Sequence, residues 1–296
     1  MKKLIRFDWA MKRLLRNKAN FVILEGFLSE LLFEDVKIQK ILESESNRED
    51  EYDKLNRVDL LVENSKGELV IIEVQNNREW DFISRLLYGT CKVITENITQ
   101  GMKYKEVKKV ISISIVYFDL GQGEDYIYKG TTKFVGIHNK DELKLSKEEQ
   151  KAYEGKEKVE EIYPEYYIIK VNQFNEVAKN TLDEWIYFLK TEEIKGEFKA
   201  KGLEEAKKEL DVMKLPEKDQ KTYSRYLESM MYEASTLGLE RELGKLEGKE
   251  EGIKLGIEKG IEKGIEKVAL SMKKSGMNID EISKITGLNK KDIEKL

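Results

Sequence analysis

Hydrophobic and polar positions alternate most regularly over residues 57–75, RVDLLVENSKGELVIIEVQ. Two apolar runs flank Asn64, Ser65, Lys66 and Gly67, residue types that favour turns, so the stretch predicts a β-hairpin. Centring the hairpin on Lys66 sets Asp59 opposite Glu73. Side chains alternate along a strand, so Val58, Leu60 and Val62 then share one face with Val70, Ile72 and Val74. Asp59, Glu73 and Gln75 share the other. The first face reads as core, and the second would hold two carboxylates within about 5 Å of each other.

Helical periodicity surrounds the hairpin. Over residues 21–33, Phe21, Leu24, Phe27, Leu28, Leu31 and Leu32 form a stripe with Glu25 at its edge and Glu30 opposite. Residues 80–99 place Phe82, Ile83, Leu86, Leu87, Val93, Ile94 and Ile98 on one half of a helix. Ser84, Arg85, Tyr88, Lys92, Thr95 and Glu96 occupy the other half, and Gln100-Gly101 marks the end. Residues 110–118 read as an inner strand and 125–138 and 162–171 as further strands. Residues 174–191 read as a helix carrying Trp185, Phe188 and Leu189 inward. This order predicts an α/β domain over residues 1–195, a mixed sheet flanked by helices.

The pattern then changes. Residues 196–240 predict a helical extension interrupted at Pro216, with Tyr223, Tyr226, Leu227, Met230 and Met231 along one stripe. Within residues 241–267 a glycine recurs every fourth position from Gly244 to Gly264, a period that drifts about 40° per step around a helix. Each glycine costs a helix about 1 kcal/mol, so this segment reads as a spacer or marginal helix that a second copy would stabilise. Residues 268–296 read as three short helices with Ser283, Gly287 and Ile293 at helix-turn-helix spacing. Acids offset Lys284, Lys290, Lys291 and Lys295 there, so a packing bundle fits as well as a DNA reader.

Composition narrows the chemistry. The single cysteine, Cys91, precludes an internal disulfide and suits a reducing cytoplasm. The lone histidine, His138, excludes multi-histidine zinc sites. Net charge is −4, so nucleic-acid binding would rely on local basic patches such as Lys2, Lys3, Arg6, Lys12, Arg13 and Arg16 at the start of the chain. No apolar run is long enough to span a bilayer, and no signal peptide is visible.

Opposed carboxylates repel unless one stays protonated or a cation sits between them. A hard divalent ion with oxygen ligands meets that need; a solvated strand face carrying acids for solubility is the other reading. Asp59, the short turn and Glu73-Val74-Gln75 resemble the PD-(D/E)XK nuclease core. The wider chain resembles the Rpn family of recombination-promoting nucleases and transposases, through LEGFLSELL at 24–32, RVDLLV at 57–62, GELVIIEVQ at 67–75, Arg85 and Tyr88, and QGMKY at 100–104. Gln75 stands where the broader superfamily has lysine; glutamine is also this family's pattern.

The resemblance implies a restriction-endonuclease-like core with an α-helical C-terminal extension and a metal-dependent DNA endonuclease associated with recombination or mobile elements. Asp59, Glu73 and the Val74 carbonyl would hold Mg²⁺ or Mn²⁺, Gln75 would position the nucleophile, and Glu25 would be a further acid from the first clear helix. Arg85, Tyr88 and Lys92 would hold DNA phosphates. The alternative is a DNA-binding or assembly protein on a degenerate nuclease scaffold. A homo-oligomer through the C-terminal helices and the absence of a membrane partner complete the expectations.

Overall fold

The computed structural model describes residues 4–13, 15–42, 59–98 and 101–296. The expectations for Lys2, Lys3, Arg57, Val58 and Gln100 lie outside these residues. In chain order the described elements are α1 (Phe7–Arg13), α2 (Phe21–Leu32), β1 (Ile38–Leu42), β2 (Leu60–Asn64), β3 (Leu69–Gln75), α3 (Phe82–Glu96), β4 (Val110–Val116) and β5 (Ile127–Gly130). They continue with α4 (Lys147–Ala152), β6 (Glu165–Lys170), α5 (Thr181–Thr191), α6 (Leu203–Glu209), α7 (Glu217–Lys274), α8 (Ile279–Thr286) and α9 (Lys290–Lys295).

The described strands form one mixed sheet in the order β1-β2-β3-β4-β6-β5. The hairpin folds in the register centred on Lys66, since Leu60 pairs with Ile72, Leu61 with Ile71 and Val62 with Val70. Its turn is fixed locally: the Asn64 side-chain oxygen accepts from the Lys66 and Glu68 amides at 3.0 and 2.9 Å, and Gly67 adopts φ +76°. From β3 the chain crosses through α3 and returns parallel to it as β4, and β6 is parallel to β4 in turn. Every residue of β4 is buried, as expected for a central strand covered on both faces.

The second face of the hairpin is more apolar than alternation alone suggested. Leu61, Leu69 and Ile71 pack with Val93 of α3 and Val110, so that face is apolar at its middle and polar at its two ends, at Glu63 and at Glu73 and Gln75. A second cluster joins Phe82 and Leu86 of α3 to Val116 and Phe118, with the Phe82 and Phe118 rings edge to face at 5.7 Å. Phe7, Phe27, Trp185 and Phe188 bring α1, α2 and α5 together through edge contacts of 5.5 to 6.4 Å.

Several boundaries differ from the sequence reading. Strand β1 is not legible in the sequence, because Gln39 and Lys40 stand side by side in IQKIL and break the alternation, as an edge strand permits. Helix α5 begins only at Thr181, where the Asn180 side chain accepts from the Asp183 amide. The strand foreseen over 125–138 is confined to β5. The first compact unit runs through Gln220. Within it, the backbone of α2 at Gly26 lies against that of Lys201 and Gly202, the segment entering α6.

In the second unit, residues 221–296, α7 is continuous through the glycine repeat. Ala269 near its end packs with Ile282 of α8 and Ile293 of α9, Gly287 makes the turn at φ +75°, and the Ser283 hydroxyl donates to the Leu288 carbonyl at 2.7 Å. Upstream, Leu239, Leu246 and Ile253 recur every seven residues with Leu243 and Ile257 four residues after the first and third, and all five are exposed. No described helix is long and apolar enough to cross a membrane.

A methyl group on Gly26 would lie 2.2 Å from the Lys201 carbonyl oxygen and 2.7 Å from the Gly202 Cα, backbone atoms that cannot rotate aside. Gly26→Ala is therefore expected to lower stability by about 1–3 kcal/mol, the range for overpacking, read from the midpoint of urea unfolding.

Candidate functional site

Strand β2 begins at Leu60, so Asp59 sits at the point where the chain enters the ladder. Extending the register places it across from Glu73. The Gln75 carbonyl accepts from the Tyr117 amide on the β4 side, and alternation therefore turns the Val74 peptide toward β2. There the Val74 amide donates to Asp59 Oδ2 at 2.8 Å. This bond fixes the carboxylate and leaves Oδ1 to face Lys12 Nζ at 3.0 Å. Arg16 adds a bond from its guanidinium to the Asp59 carbonyl at 2.9 Å.

Glu73 and Gln75 lie on the face covered by α3, and Arg85 descends from that helix between them. One guanidinium nitrogen reaches Glu73 Oε1 at 2.5 Å and Gln75 Oε1 at 3.3 Å, and the other reaches Glu79 at 3.0 Å. The Gln75 amide nitrogen also donates to Glu79 at 2.8 Å, so its orientation is set. Burial raises the Glu73 carboxyl above its ordinary range, the charges of Asp59 and Glu79 push the same way, and Arg85 opposes them. Glu73 thus feels Asp59 electrostatically, the consequence expected of carboxylates opposed across the hairpin.

A buried polar network fastens the strand end. Asn76 accepts from Arg6 at 3.0 Å and donates to Asp8 at 3.0 Å, and Arg6 also bonds Glu192 at 3.2 Å and lies over the Tyr117 ring. Asp8 is buried and accepts from the Trp9 amide, so the start of α1 is locked to the residue that follows Gln75. The network sets Lys12 and Arg16 beside Asp59.

The expected residues do not all converge. Glu25 is set apart: its carboxylate accepts from the Ile38 amide at 2.9 Å and pairs with Lys37 at 3.0 Å. Ile38 is opposite Asn64, which places this pair about 17 Å along the sheet from Asp59. Buried Glu25 thus caps the start of β1. On α3, Arg85 is half-buried and turned inward, whereas Tyr88 is exposed one turn later and Lys92 lies a further turn along, 3.8 Å from Glu96. Ile83 and Leu87, expected on the inner half, are more than half exposed, since the buried row runs through Phe82, Leu86, Thr90 and Val93. Arg85 borders that row and can reach Glu73.

Sequence reasoning did not assign Glu79, Lys12 or Arg16 to this site. Glu79 follows Gln75 by four residues, a separation that signals nothing once the chain has left the strand. Lys12 is far from Asp59 in sequence, and only the packing of α1 joins them.

An acid entering one strand, an acid-x-Gln at the carboxyl end of its neighbour and a parallel crossover from it through a helix together define a PD-(D/E)XK-type nuclease core. The chain matches a family model described as PD-(D/E)XK nuclease family transposase over residues 5–237, and it belongs to that family. No curated protein and no solved structure matches it significantly.

The oxygen set suits a hard divalent ion: two neighbouring carboxylates, those of Asp59 and Glu73, and the intervening Val74 carbonyl on the Asp59 side. Among the described residues, no cluster of three or more acidic, histidine or cysteine side chains is placed to hold a metal. The remaining coordination would therefore fall to water and substrate oxygens.

The raised Glu73 carboxyl has a sign-definite consequence. Folding favours its protonated form, so ionisation costs stability as pH rises above the ordinary value of 4.5 through the higher folded value, and the cost persists at neutral pH. Glu73→Gln is expected to gain stability relative to the wild type across that rise and to lose the advantage below it, measured by urea unfolding from pH 3.5 to 7.5.

Proposed function

We propose that the protein is a Mg²⁺-dependent DNA endonuclease, with Mn²⁺ as the alternative ion, acting in recombination or on mobile elements. The observation that carries this reading is the convergence of Asp59 and Glu73 beside Arg85 and Lys12 at the carboxyl end of β3, where α/β proteins place their ligands. Asp59, Glu73 and the Val74 carbonyl would hold the ion, which when bound supplies an activated water and a counter-charge for the phosphate. Gln75 offers an amide to orient that water, held in place by Glu79. It carries no charge, and Lys12, ion-paired with Asp59, supplies one instead. Arg85 would hold the phosphate group in bidentate fashion, and Tyr88 and Lys92 continue along the same helix toward the flanking backbone.

A second reading is a DNA-binding scaffold with little cleavage of its own. Its support is that both carboxylates already carry a cationic partner, Lys12 on Asp59 and Arg85 on Glu73. Nicking of supercoiled plasmid in Mg²⁺, Mn²⁺ or EDTA separates the two. Cleavage is expected to require metal and to fall by about 10²- to 10³-fold or more in Asp59→Asn and Glu73→Gln. Retained DNA binding without cleavage under either metal would select the scaffold.

The exposed Leu239, Leu243, Leu246, Ile253 and Ile257 of α7 support pairing with a second copy, because a helix interrupted by six repeat glycines otherwise lacks packing to offset their cost. Light scattering of the full chain is expected to give twice the monomer mass, and Ile253→Asp with Ile257→Asp is expected to return it to one.

A further inference from the structure

The loop between β3 and α3 carries a feature that hydrolysis does not use. Trp80 is 87% exposed, whereas Trp9 and Trp185, the other two tryptophans, are buried. Phe33 and Tyr104 are comparably exposed, so what singles out Trp80 is its place on the loop that leads from Gln75 to α3, where its indole offers a free stacking surface at the rim of the site. Arg78, also exposed, stacks its guanidinium 4.1 Å from the centre of the Trp80 ring. The pair does not sit on a loose tip. Glu79 between them is clamped by Gln75 and Arg85, which links the loop directly to the residues around Glu73.

We propose that Trp80 and Arg78 form a stacking platform for an unpaired nucleobase next to the phosphate held by Arg85 beside Glu73, giving the enzyme a preference for DNA with a single-stranded segment at the cleavage point. This rests on the nuclease reading. A base in a duplex is stacked on its neighbours and hides both faces, whereas an unpaired base can lie on the indole, and its phosphate is then within the field of Arg78. The ring carries no hydrogen-bonding pattern matched to one base, so the platform selects strand state over sequence. Its neighbours Ile83 and Leu87 continue an exposed apolar surface from the same end of α3, which a splayed strand would cover.

The test uses the full chain carrying Asp59→Asn, so that binding is read without cleavage, with a blunt duplex and the same duplex bearing a single-stranded tail. The tailed duplex is expected to quench tryptophan emission, and the quench is expected to vanish in an added Trp80→Ala. The ratio of tailed to blunt affinity should fall by about 5- to 100-fold in Trp80→Ala, recover in large part in Trp80→Phe, and fall less in Arg78→Ala. Equal affinities for the two duplexes with no quench, while the wild type still cuts DNA, would overturn the platform and leave the nuclease standing. An apolar protein partner for this face would show the same result. Absence of both DNA binding and cleavage by the wild type would overturn the platform and the nuclease reading together.

Discussion

The β2–β3 register is the constraint on which the rest depends. Strand side chains alternate with a period of two, so a slip by one residue would exchange the faces of every position and send Glu73 and Gln75 away from α3. The Asn64 side chain, bonded to two turn amides, and Gly67, in the left-handed region, hold the turn at one length and so hold the register. The apolar face of Leu60, Val62, Val70, Ile72 and Val74 supplies the energetic reason not to slip. The acids are therefore positioned by burial of their neighbours.

Electrostatics then shapes what the register brings together. Two carboxylates at the end of a half-buried face require compensation, and the chain supplies it from two directions, Arg85 from α3 and Lys12 from α1. Compensation is incomplete at Glu73, where burial together with the charges of Asp59 and Glu79 still outweighs the arginine. A group left in this condition is held against its own ionisation at a cost in stability. The Arg6, Asp8 and Asn76 network shows the contrasting case, a half-buried polar cluster in which all three side chains are paired and the backbone is fixed in consequence.

The C-terminal unit obeys different physics. Helix α7 contains few buried side chains, and only its last turns, with Ala269, meet a small core made with α8 and α9. That core is legible from Ser283, Gly287 and Ile293, because short helices and glycine turns are local. The glycine repeat is a case where propensity and structure diverge: local cost disfavours the helix, yet the helix is continuous, and an apolar seam spaced by sevens runs along it.

The sequence by itself determined the hairpin, its register, the inner strand at β4, the helices α2, α3, α8 and α9, and the Asp59, Glu73 and Gln75 face, because alternation, amphipathic stripes and turn chemistry are properties of neighbours in the chain. Only the tertiary structure decided which side chains meet. It removed Glu25 to the start of β1, turned Ile83 and Leu87 outward, drew Lys12 and Arg16 to Asp59 and set Gly26 against Lys201. Each of these depends on how α1, α2, α3 or the segment before α6 packs against a remote element. Packing of that kind is settled by long-range burial and close backbone approach, as at Gly26 and Lys201, and leaves no periodic trace in the sequence.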